Sequence, residues 1–257
     1  MLRRTALEGF VRAQWLAAEL GGGRVQEDAT ARRVAFTDPG ARPDCVYPGR
    51  HDRESWNAAA RYVRESQRQR RACVLLVDDS TDASLAAHHV ADLGLQPEGE
   101  AACMVLADLE SISTATPPGL AIEPVSAEPA RQSFIDTAAA VFGAHKDMFE
   151  LLYPKAMVGS VSLQGALGVV DGTVCAVASA YIVDGAVGVY GVAVEPTLRG
   201  RGVERAMTAW ACNVGRSHGA SFAYLQPSPM GQALYRQMGF VTVGGYRKFV
   251  HRPSSSG

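Results

Sequence analysis

Two Asp-Gly pairs divide an apolar region of the chain into three β-rich runs, and they constrain the fold more than any other feature of the sequence. The runs are Leu163–Val170, Thr173–Val183 and Ala186–Val194, separated by Asp171-Gly172 and Asp184-Gly185. An Asp-Gly pair between β-rich runs is a strong hairpin signal, because both residues tolerate the positive φ angles of a two-residue turn. The sequence therefore predicts an antiparallel meander of three strands.

The third run leads into a loop rich in glycine and arginine, within the stretch Val192–Glu204 that reads VAVEPTLRGRGVE. Gly200 and Gly202 allow backbone N–H groups to approach an anion closely, and the N-terminus of the following helix adds a positive field. Arg199 and Arg201 bring positive charge to either side of Gly200. The loop is interpreted as a cradle for a diphosphate; the alternative is a surface turn with solvated arginines.

The segments around the meander give a regular order of elements, read from apolar periodicity and from Gly and Pro punctuation. Before it, the sequence predicts a strand, a helix and a second short helix, at Leu120–Val125, Pro129–Phe142 and up to about Met157. After it, the sequence predicts a helix, a strand, a helix and two short strands, at Val203–Ser217, Ser221–Gln226, Pro229–Met238, Val241–Val243 and Tyr246–Val250.

This order resembles the fold of the GNAT superfamily of N-acetyltransferases, and two motifs carry the resemblance. Arg199 to Gly202 resembles the family's pyrophosphate loop, Arg-x-x-Gly-x-Gly/Ala, although Glu204 stands where that family usually has Gly or Ala. The segment Ala233–Phe240, ALYRQMGF, looks like the family's closing motif, in which a helix with a tyrosine ends at Gly-Phe. The resemblance covers about Leu120 to Val250 and implies an α/β fold with a mixed sheet, the GNAT acyl-CoA transferase fold.

The resemblance implies acetyl-CoA as co-substrate and direct transfer of its acetyl group to a primary amine of a small molecule or peptide. In this fold the strand before the loop splays from its neighbour, and the pantetheine arm pairs with the exposed main chain. Ser228 stands where the family often has Asn, and it is either an arm contact or an N-cap before Pro229. The residues that would bind the cofactor are Val192, Ala193, Val194, Arg199, Gly200, Arg201, Gly202, Val203, Glu204, Ser228 and Tyr235.

Tyr235 matches the position of the family's usual proton donor to the departing thiolate. A tyrosine with an ordinary pKa of about 10 holds its proton at neutral pH and can act as a general acid. The alternative is a packed tyrosine whose hydroxyl only bonds to the cofactor. The base that deprotonates the amine stays open. The candidates are His145, Glu195 and Tyr190; Asp147 and Glu150 lie in the same segment as His145, and a water chain is a further alternative.

The N-terminal half repeats part of this order. The sequence predicts a helix at Thr5–Leu20, strands near Arg24–Gln26, Arg33–Phe36 and Cys45–Tyr47, a helix to about Arg70, a strand at Ala72–Val77, a helix at Asp82–Leu93 and a strand at Ala101–Leu106. The loop Pro48-Gly49-Arg50-His51 lacks the Arg-x-x-Gly-x-Gly pattern, so this half is expected to be structural or substrate-shaping. The predicted domains are a degenerate GNAT-like region at 1–112, a linker at 113–119, a GNAT domain at 120–251 and a disordered tail at 252–257.

Composition narrows the classes of partner. The 257 residues carry a formal net charge of −1, which gives no general argument for nucleic-acid or membrane binding. No apolar stretch is long enough to span a bilayer. The five cysteines form no C-x-x-C pair, so neither a zinc site nor a disulfide framework is expected. We expect a cytoplasmic protein that uses no metal, has no nucleic-acid or membrane partner and is a monomer or homodimer.

Two rival interpretations stay open. An arginine-rich helix could bind nucleic acid, but helical spacing and Glu65 among the arginines favour a solvated face; they are Arg61, Arg64, Arg68, Arg70 and Arg71. The carboxylate of Glu204 near a diphosphate and the lack of an obvious base leave room for a non-catalytic acyl-CoA-binding or regulatory module.

Overall fold

The structure is a computed structural model that describes residues 2–28, 30–38, 40–50, 52–113 and 115–253. Its helices are α1 (Leu2–Leu20), α2 (Arg53–Arg68), α3 (Ala83–Asp92), α4 (Glu128–Phe142), α5 (Lys146–Leu152), α6 (Val203–Ser217) and α7 (Gln232–Gln237). Its strands are β1 (Arg24–Glu27), β2 (Ala31–Ala35), β3 (Asp44–Pro48), β4 (Cys73–Asp78), β5 (Gln96–Leu106), β6 (Leu120–Pro124), β7 (Leu163–Val170), β8 (Thr173–Val183), β9 (Ala186–Val194), β10 (Phe222–Leu225) and β11 (Val241–His251).

The strands of the described residues form one mixed sheet in the order β1-β2-β3-β4-β11-β5-β10-β9-β8-β7-β6. This confirms the predicted α/β class with a mixed sheet. Two pairs of neighbours are parallel, β3 with β4 and β9 with β10, and a helix joins the strands of each pair, α2 in the first and α6 in the second. The carboxyl end of a parallel strand and the N-terminus of its crossover helix lie at the same edge of a sheet, which is where ligands of such sheets bind.

The two halves of the chain repeat one order of elements: three strands, a helix, a strand, a helix and a last strand. The last strand of each half pairs with the preceding strand of the other half. β5 of the first half pairs with β10, β11 of the second half pairs with β4, and β5 and β11 pair with each other at the centre of the sheet. Strands from both sides of the predicted 113–119 linker therefore alternate, while the domain boundary itself stays a prediction.

The two predicted Asp-Gly hairpins are confirmed. Asp171 and Gly172 have φ angles of 49° and 74°, and Asp184 and Gly185 have φ angles of 50° and 72°. Positive φ at both central residues matches the right-handed twist of the flanking strands. β7, β8 and β9 accordingly form an antiparallel meander.

The end of the chain differs from the prediction of two short strands. β11 is one strand, Val241–His251, and its register against β5 shifts between Thr242 and Gly244. Val243 is the extra residue at this shift, and the following Gly244 has a φ of 150°. The prediction was wrong because a bulge interrupts the ladder without ending the strand.

Helix α1 packs on one face of the sheet and contacts both halves of the chain. Its apolar side chains share a core with those of α4 and α5. Tyr224 of β10 donates its hydroxyl hydrogen to the Gly9 carbonyl at 2.7 Å, and Tyr246 of β11 donates to the Leu7 carbonyl at 3.0 Å. Successive side chains of a strand point to opposite faces of the sheet. Helices α2, α3 and α6 pack against the strand side chains that point away from α1, so they cover the other face.

One arginine of the predicted solvated face is not solvated. Arg71 and Arg33 both bond to the fully buried carboxylate of Asp44, each with an Nη2 to oxygen distance of 2.6 Å. The interpretation of Arg71 as a surface residue was therefore wrong, because a partner distant in sequence draws it inward. Arg61 and Arg68 do lie on the exposed face, paired with carboxylates.

All five cysteines are buried free thiols, and burial raises the pKa of Cys73, Cys103 and Cys212 to about 12. In the described ranges, no helix is long and apolar enough to cross a membrane. The same ranges hold no group of three or more His, Cys, Asp or Glu side chains arranged for a metal ion. Residues 254–257 of the predicted tail lie outside the described residues.

Candidate active site

The parallel strands β9 and β10 separate partway along their length. Their pairing runs from Ala186 opposite Phe222 to Gly188 opposite Tyr224, and in the described chain it stops there. β9 continues over residues 189–194 with its main chain unpaired on this side. An unpaired strand edge offers N–H and C=O groups to a ligand that adds as a strand.

The three β9 residues predicted to contact the pantetheine arm lie in this unpaired stretch. The side chains of Ala193 and Val194 are buried in the core, and Val192 is half-buried against it. Their side chains are therefore strand core, as the plainer interpretation of a valine-rich strand expects. Only their main-chain groups are left for a ligand.

A β-bulge in β9 accompanies the separation. The register against β8 shifts between Val177 and Ser179, so that Gly191 and Val192 lie opposite the single residue Ala178. Gly191 has a φ of 59°, a conformation that glycine adopts without strain. A bulge bends its strand and increases the local twist, which turns the end of β9 away from β10.

The predicted anion loop lies between the end of β9 and the start of α6. Arg199 donates from Nε to the Val194 carbonyl at 3.2 Å, which fastens the loop to the strand. Gly200 and Gly202 have φ angles of 72° and 84°. α6 begins at Val203, and no side chain of the described residues caps its first turn. The N–H groups of this turn are therefore open to an anion.

Tyr235 of α7 is partly buried against apolar residues of α6. Burial raises the pKa of Tyr235 to about 12, and the charge of Glu204 adds to this rise, while the Thr208 hydroxyl opposes it. The Tyr235 ring packs edge-on against Phe240, with 5.8 Å between centroids.

Ser228 is exposed in the segment between β10 and α7, and its hydroxyl oxygen accepts a hydrogen bond from the Gly231 N–H at 3.1 Å. This bond stabilises the turn before α7, whose N-cap residue is Gly231, so Ser228 is not the N-cap that one interpretation of the sequence expected. Ser228 also lines a cavity of about 390 Å³ beside the end of β10. The opposite wall of that cavity comes from the N-terminal half and includes Asp79 and Glu100.

Tyr190, one of the three base candidates, is an aromatic core residue. Its hydroxyl is buried without a hydrogen-bond partner in the described structure, and its ring contacts Phe10, Tyr181 and Tyr224. Burial raises its pKa well above the ordinary value. A group that keeps its proton at neutral pH cannot accept one from the amine, and this disfavours Tyr190 as the base.

The other two base candidates lie apart from each other. Glu195 is half-buried at the end of β9, where its backbone N–H donates to the Cys175 carbonyl on β8, the strand on the far side from β10. His145 is exposed at the N-cap of α5. In the described chain, no hydrogen bond links the Glu195 carboxylate or the His145 imidazole to Tyr235.

Two residues at this site were missed by the sequence reasoning. Tyr153, at the end of α5, and Ser179 of β8 lie against the bulge of β9. Ser179 gives a weak signal in the sequence, since it is the one serine in the apolar run Thr173–Val183. Tyr153 gives none, because its role depends on a contact between distant segments.

A second cavity, of about 750 Å³, lies in the N-terminal half near the ends of β3 and β4. Charges line it in pairs, such as Arg3 with Asp78 and Arg32 with Glu27. The loop there differs from the one before α6. Asp52 caps α2 by accepting a hydrogen bond from the Ser55 N–H, so its carboxylate already occupies the helix N-terminus.

Comparison with known proteins assigns this arrangement to a class. Residues 140–240 match the model of the acetyltransferase (GNAT) family. The matched residues include the loop before α6 and the closing motif, the two features on which the predicted resemblance to this family rests. No curated protein matches the chain in sequence.

Solved structures extend the fold over most of the chain. A GCN5-related N-acetyltransferase from Kribbella flavida is similar with a TM-score of 0.70 and 17% identity, over 93% of this chain and 95% of that one. Another GCN5-related N-acetyltransferase, from Sphaerobacter thermophilus, is similar with a TM-score of 0.64 and 14% identity, over 87% of this chain and 77% of that one. A tandem GNAT protein from the clavulanic acid biosynthesis pathway is similar with a TM-score of 0.61 and 15% identity, over 88% of this chain and 79% of that one. These similarities establish the GNAT fold.

Proposed function

We propose that this protein is an N-acetyltransferase that moves the acetyl group of acetyl-CoA to a primary amine. The observation that carries the proposal is the unpaired stretch of β9 followed directly by the uncapped start of α6. A diphosphate binds backbone N–H donors in a positive field, and an arm with amide groups binds an open strand edge. One continuous segment, residues 189–204, offers both.

The groups of the chain fit the parts of such a ligand. The backbone N–H groups around Gly200 and Gly202 would hold the diphosphate, with Arg201 adding charge from the exposed side of the loop. The main chain of Val192 and Val194 would pair with the arm. In this arrangement Arg199 has a structural task, since its Nε is engaged with the end of β9.

Tyr235 is proposed as the proton donor. The acetyl carbon would form a bond to the amine nitrogen as its bond to sulfur breaks, and the departing sulfur would take the hydroxyl proton of Tyr235. The amine would lose its proton to water or to a carboxylate of the acceptor cavity. A pKa of about 12 keeps Tyr235 protonated throughout the neutral range, so that the donor form is always present.

We place the acceptor in the cavity beside Ser228. A volume of about 390 Å³ suits a small molecule rather than a folded peptide chain. Its lining carries two carboxylates, Asp79 and Glu100, of which Asp79 is paired with Arg3. A protonated amine would be attracted by Glu100. This supports a small cationic amine as the acceptor class.

A non-catalytic acyl-CoA-binding module is the second candidate, and the position of Glu204 favours it. Glu204 lies in the first turn of α6, where its negative charge would repel a bound diphosphate and weaken a catalytic complex. Binding without transfer would then be the function. Both candidates share the cofactor site and differ in turnover.

Titration calorimetry with CoA, followed by release of free thiol from acetyl-CoA over a panel of small amines, tests the proposal. We expect binding by the wild type, binding about tenfold weaker in Arg201→Ala, and unchanged binding in Arg216→Ala, a matched control at the far end of α6. Binding without thiol release above the rate of hydrolysis on any amine would favour the module. No CoA binding at all would remove both candidates.

A further inference from the structure

The hydroxyl of Tyr153 occupies the space that a side chain at Gly191 would need. A Cβ atom on Gly191 would lie 2.3 Å from the Tyr153 hydroxyl oxygen and 3.2 Å from its ring carbon Cζ. Both distances are shorter than ordinary contacts. The bulge of β9 therefore closes over this hydroxyl, and the absence of a side chain at Gly191 is required by the contact as well as by the positive φ angle.

Ser179 links this hydroxyl to the main chain of the bulge. Its Oγ lies 2.9 Å from the Tyr190 carbonyl oxygen and 3.2 Å from the Tyr153 hydroxyl. A carbonyl can only accept, so the single proton of Ser179 goes to Tyr190, and Tyr153 donates to Ser179. The two hydroxyls thus form a directed chain of hydrogen bonds that ends on the residue before Gly191.

The other end of the chain is held rigidly. Arg131, 1% exposed, donates from Nη1 to the Tyr153 carbonyl at 2.6 Å, and its other nitrogens bond to Glu128 and Glu150. The Tyr153 ring packs edge-on against Phe134, with 4.6 Å between centroids. The hydroxyl therefore has a fixed position in space, from which it can hold the backbone of β9.

We infer that the Tyr153–Ser179 hydroxyl pair is a brace that fixes the β9 bulge and so sets the position of the main-chain groups that receive the acyl-CoA arm. Tyr153 is a positioning residue in this inference, which rests on the proposed function. It takes no part in proton transfer. Burial raises its pKa to about 12, so that it donates its hydrogen bond at all neutral pH values.

Hydroxyl deletions test the brace. Tyr153→Phe and Ser179→Ala should each raise the Kd of CoA and the KM of acetyl-CoA about 3- to 10-fold, the loss expected for one hydrogen bond, with kcat at saturation within about twofold of wild type. The matched control is Tyr181→Phe, since its hydroxyl bonds to the Leu152 carbonyl and not to Ser179 or to the main chain of the bulge. Equal Kd values for all three variants and wild type would overturn the inference.

A double substitution separates the brace from a general packing effect. Gly191→Ala should weaken CoA binding more than about 100-fold, because the new methyl group meets the Tyr153 hydroxyl. Gly191→Ala combined with Tyr153→Phe should bind more tightly than Gly191→Ala alone, since the 2.3 Å contact is then removed. A double variant that binds no better than Gly191→Ala would contradict the brace.

A readout without ligand keeps this inference separate from the proposed function. Amide hydrogen exchange of residues 189–194 in the free protein should be about tenfold faster in Tyr153→Phe than in Tyr181→Phe. If wild type binds no CoA, the proposed function fails while this comparison still decides whether the brace exists. Equal exchange in the two variants would show that the hydroxyl does not hold the bulge.

Discussion

The carboxylate of Asp52 accepts a hydrogen bond from the backbone N–H of Ser55 at 2.8 Å, and this closes the N-terminus of α2. The corresponding position before α6 is Gly202, which has no side chain to do the same. The helix N-terminus that follows β3 in the N-terminal half is therefore occupied by a carboxylate, and the one that follows β9 in the C-terminal half is open. An anion is excluded from the first by the negative charge already there.

Asp52→Ala should lower stability without affecting the cofactor. Loss of the cap leaves the Ser55 N–H without a partner, so the melting temperature should fall by a few degrees. The Kd of CoA should stay within about twofold of wild type, because we place the cofactor on α6. Calorimetry of the variant at matched buffer checks both values. A large loss of CoA affinity would move the cofactor site to the N-terminal half.

Glu204→Gln should tighten CoA binding about 3- to 10-fold, because it removes a negative charge close to the proposed diphosphate site. The gain should shrink as ionic strength rises, since salt screens a half-exposed charge. Titration calorimetry at low and high salt measures it. The matched control is Glu123→Gln on the edge strand β6, an exposed carboxylate outside the proposed diphosphate loop. Unchanged affinity in Glu204→Gln would mean that this side chain does not approach the ligand.

Local sequence signals predicted the elements well and their long-range pairing poorly. Asp171-Gly172 and Asp184-Gly185 fix their own turns, because the conformation they need is a property of those residues alone. The exchange of β5 and β11 leaves no such trace, since each strand would look the same beside either neighbour. The order of elements in the GNAT fold was therefore predictable, and the interleaving of the two halves was not.

The candidate site shows the same division. Gly200 and Gly202 allow an anion loop to be predicted, because their spacing and the following helix are local features of the sequence. The contacts of Tyr153 with Gly191 and of Arg71 with Asp44 join segments far apart in sequence, so composition and periodicity carry no information about them. Single sequences reveal backbone-shaping residues more readily than the side chains that support them.

The buried tyrosines should make the protein unfold at high pH. Burial raises the pKa of Tyr153 and Tyr235 to about 12, above the value of about 10 expected in the unfolded chain. A raised folded-state pKa gives stability that is complete below pH 10 and is lost as pH rises toward 12. For the fully buried Tyr153 alone the loss is about 2 to 3 kcal/mol.

Absorbance at 295 nm and circular dichroism, followed together from pH 8 to 12.5, check this prediction. We expect phenolate absorbance to appear in one cooperative step that coincides with loss of structure. A gradual titration centred near pH 10 in a protein that keeps its circular dichroism signal would show that the tyrosines ionise in the folded state.

Separate halves should not fold independently, although the sequence predicts two domains. A fragment of residues 113–257 lacks β5, which is one of the two neighbours of β10 and one of the two neighbours of β11, and it also lacks β4 and α1. Exposed edges and an uncovered core favour aggregation over a folded monomer. Size-exclusion chromatography and circular dichroism of the fragment measure this outcome.

Co-expression with residues 1–112 should restore a soluble complex, and a protease site inserted in the 113–119 linker should leave the nicked protein associated. This control shows whether the pairing or the covalent connection holds the halves together. A monomeric 113–257 fragment that unfolds cooperatively and binds CoA like the whole protein would instead establish the C-terminal part as an autonomous domain.

Tyr235→Phe should lower kcat about 100-fold or more while leaving the Kd of CoA within a few-fold, because only the departing sulfur needs the proton. The pH dependence of wild-type kcat should show no falling limb from this residue below about pH 10, since burial raises its pKa to about 12. Phe is the conservative choice here, because it keeps the packing against Phe240. Stopped-time assays of thiol release at saturating acetyl-CoA, from pH 6 to 10, measure both effects. A variant with wild-type turnover would leave Tyr235 as a packing residue and assign protonation of the sulfur to water.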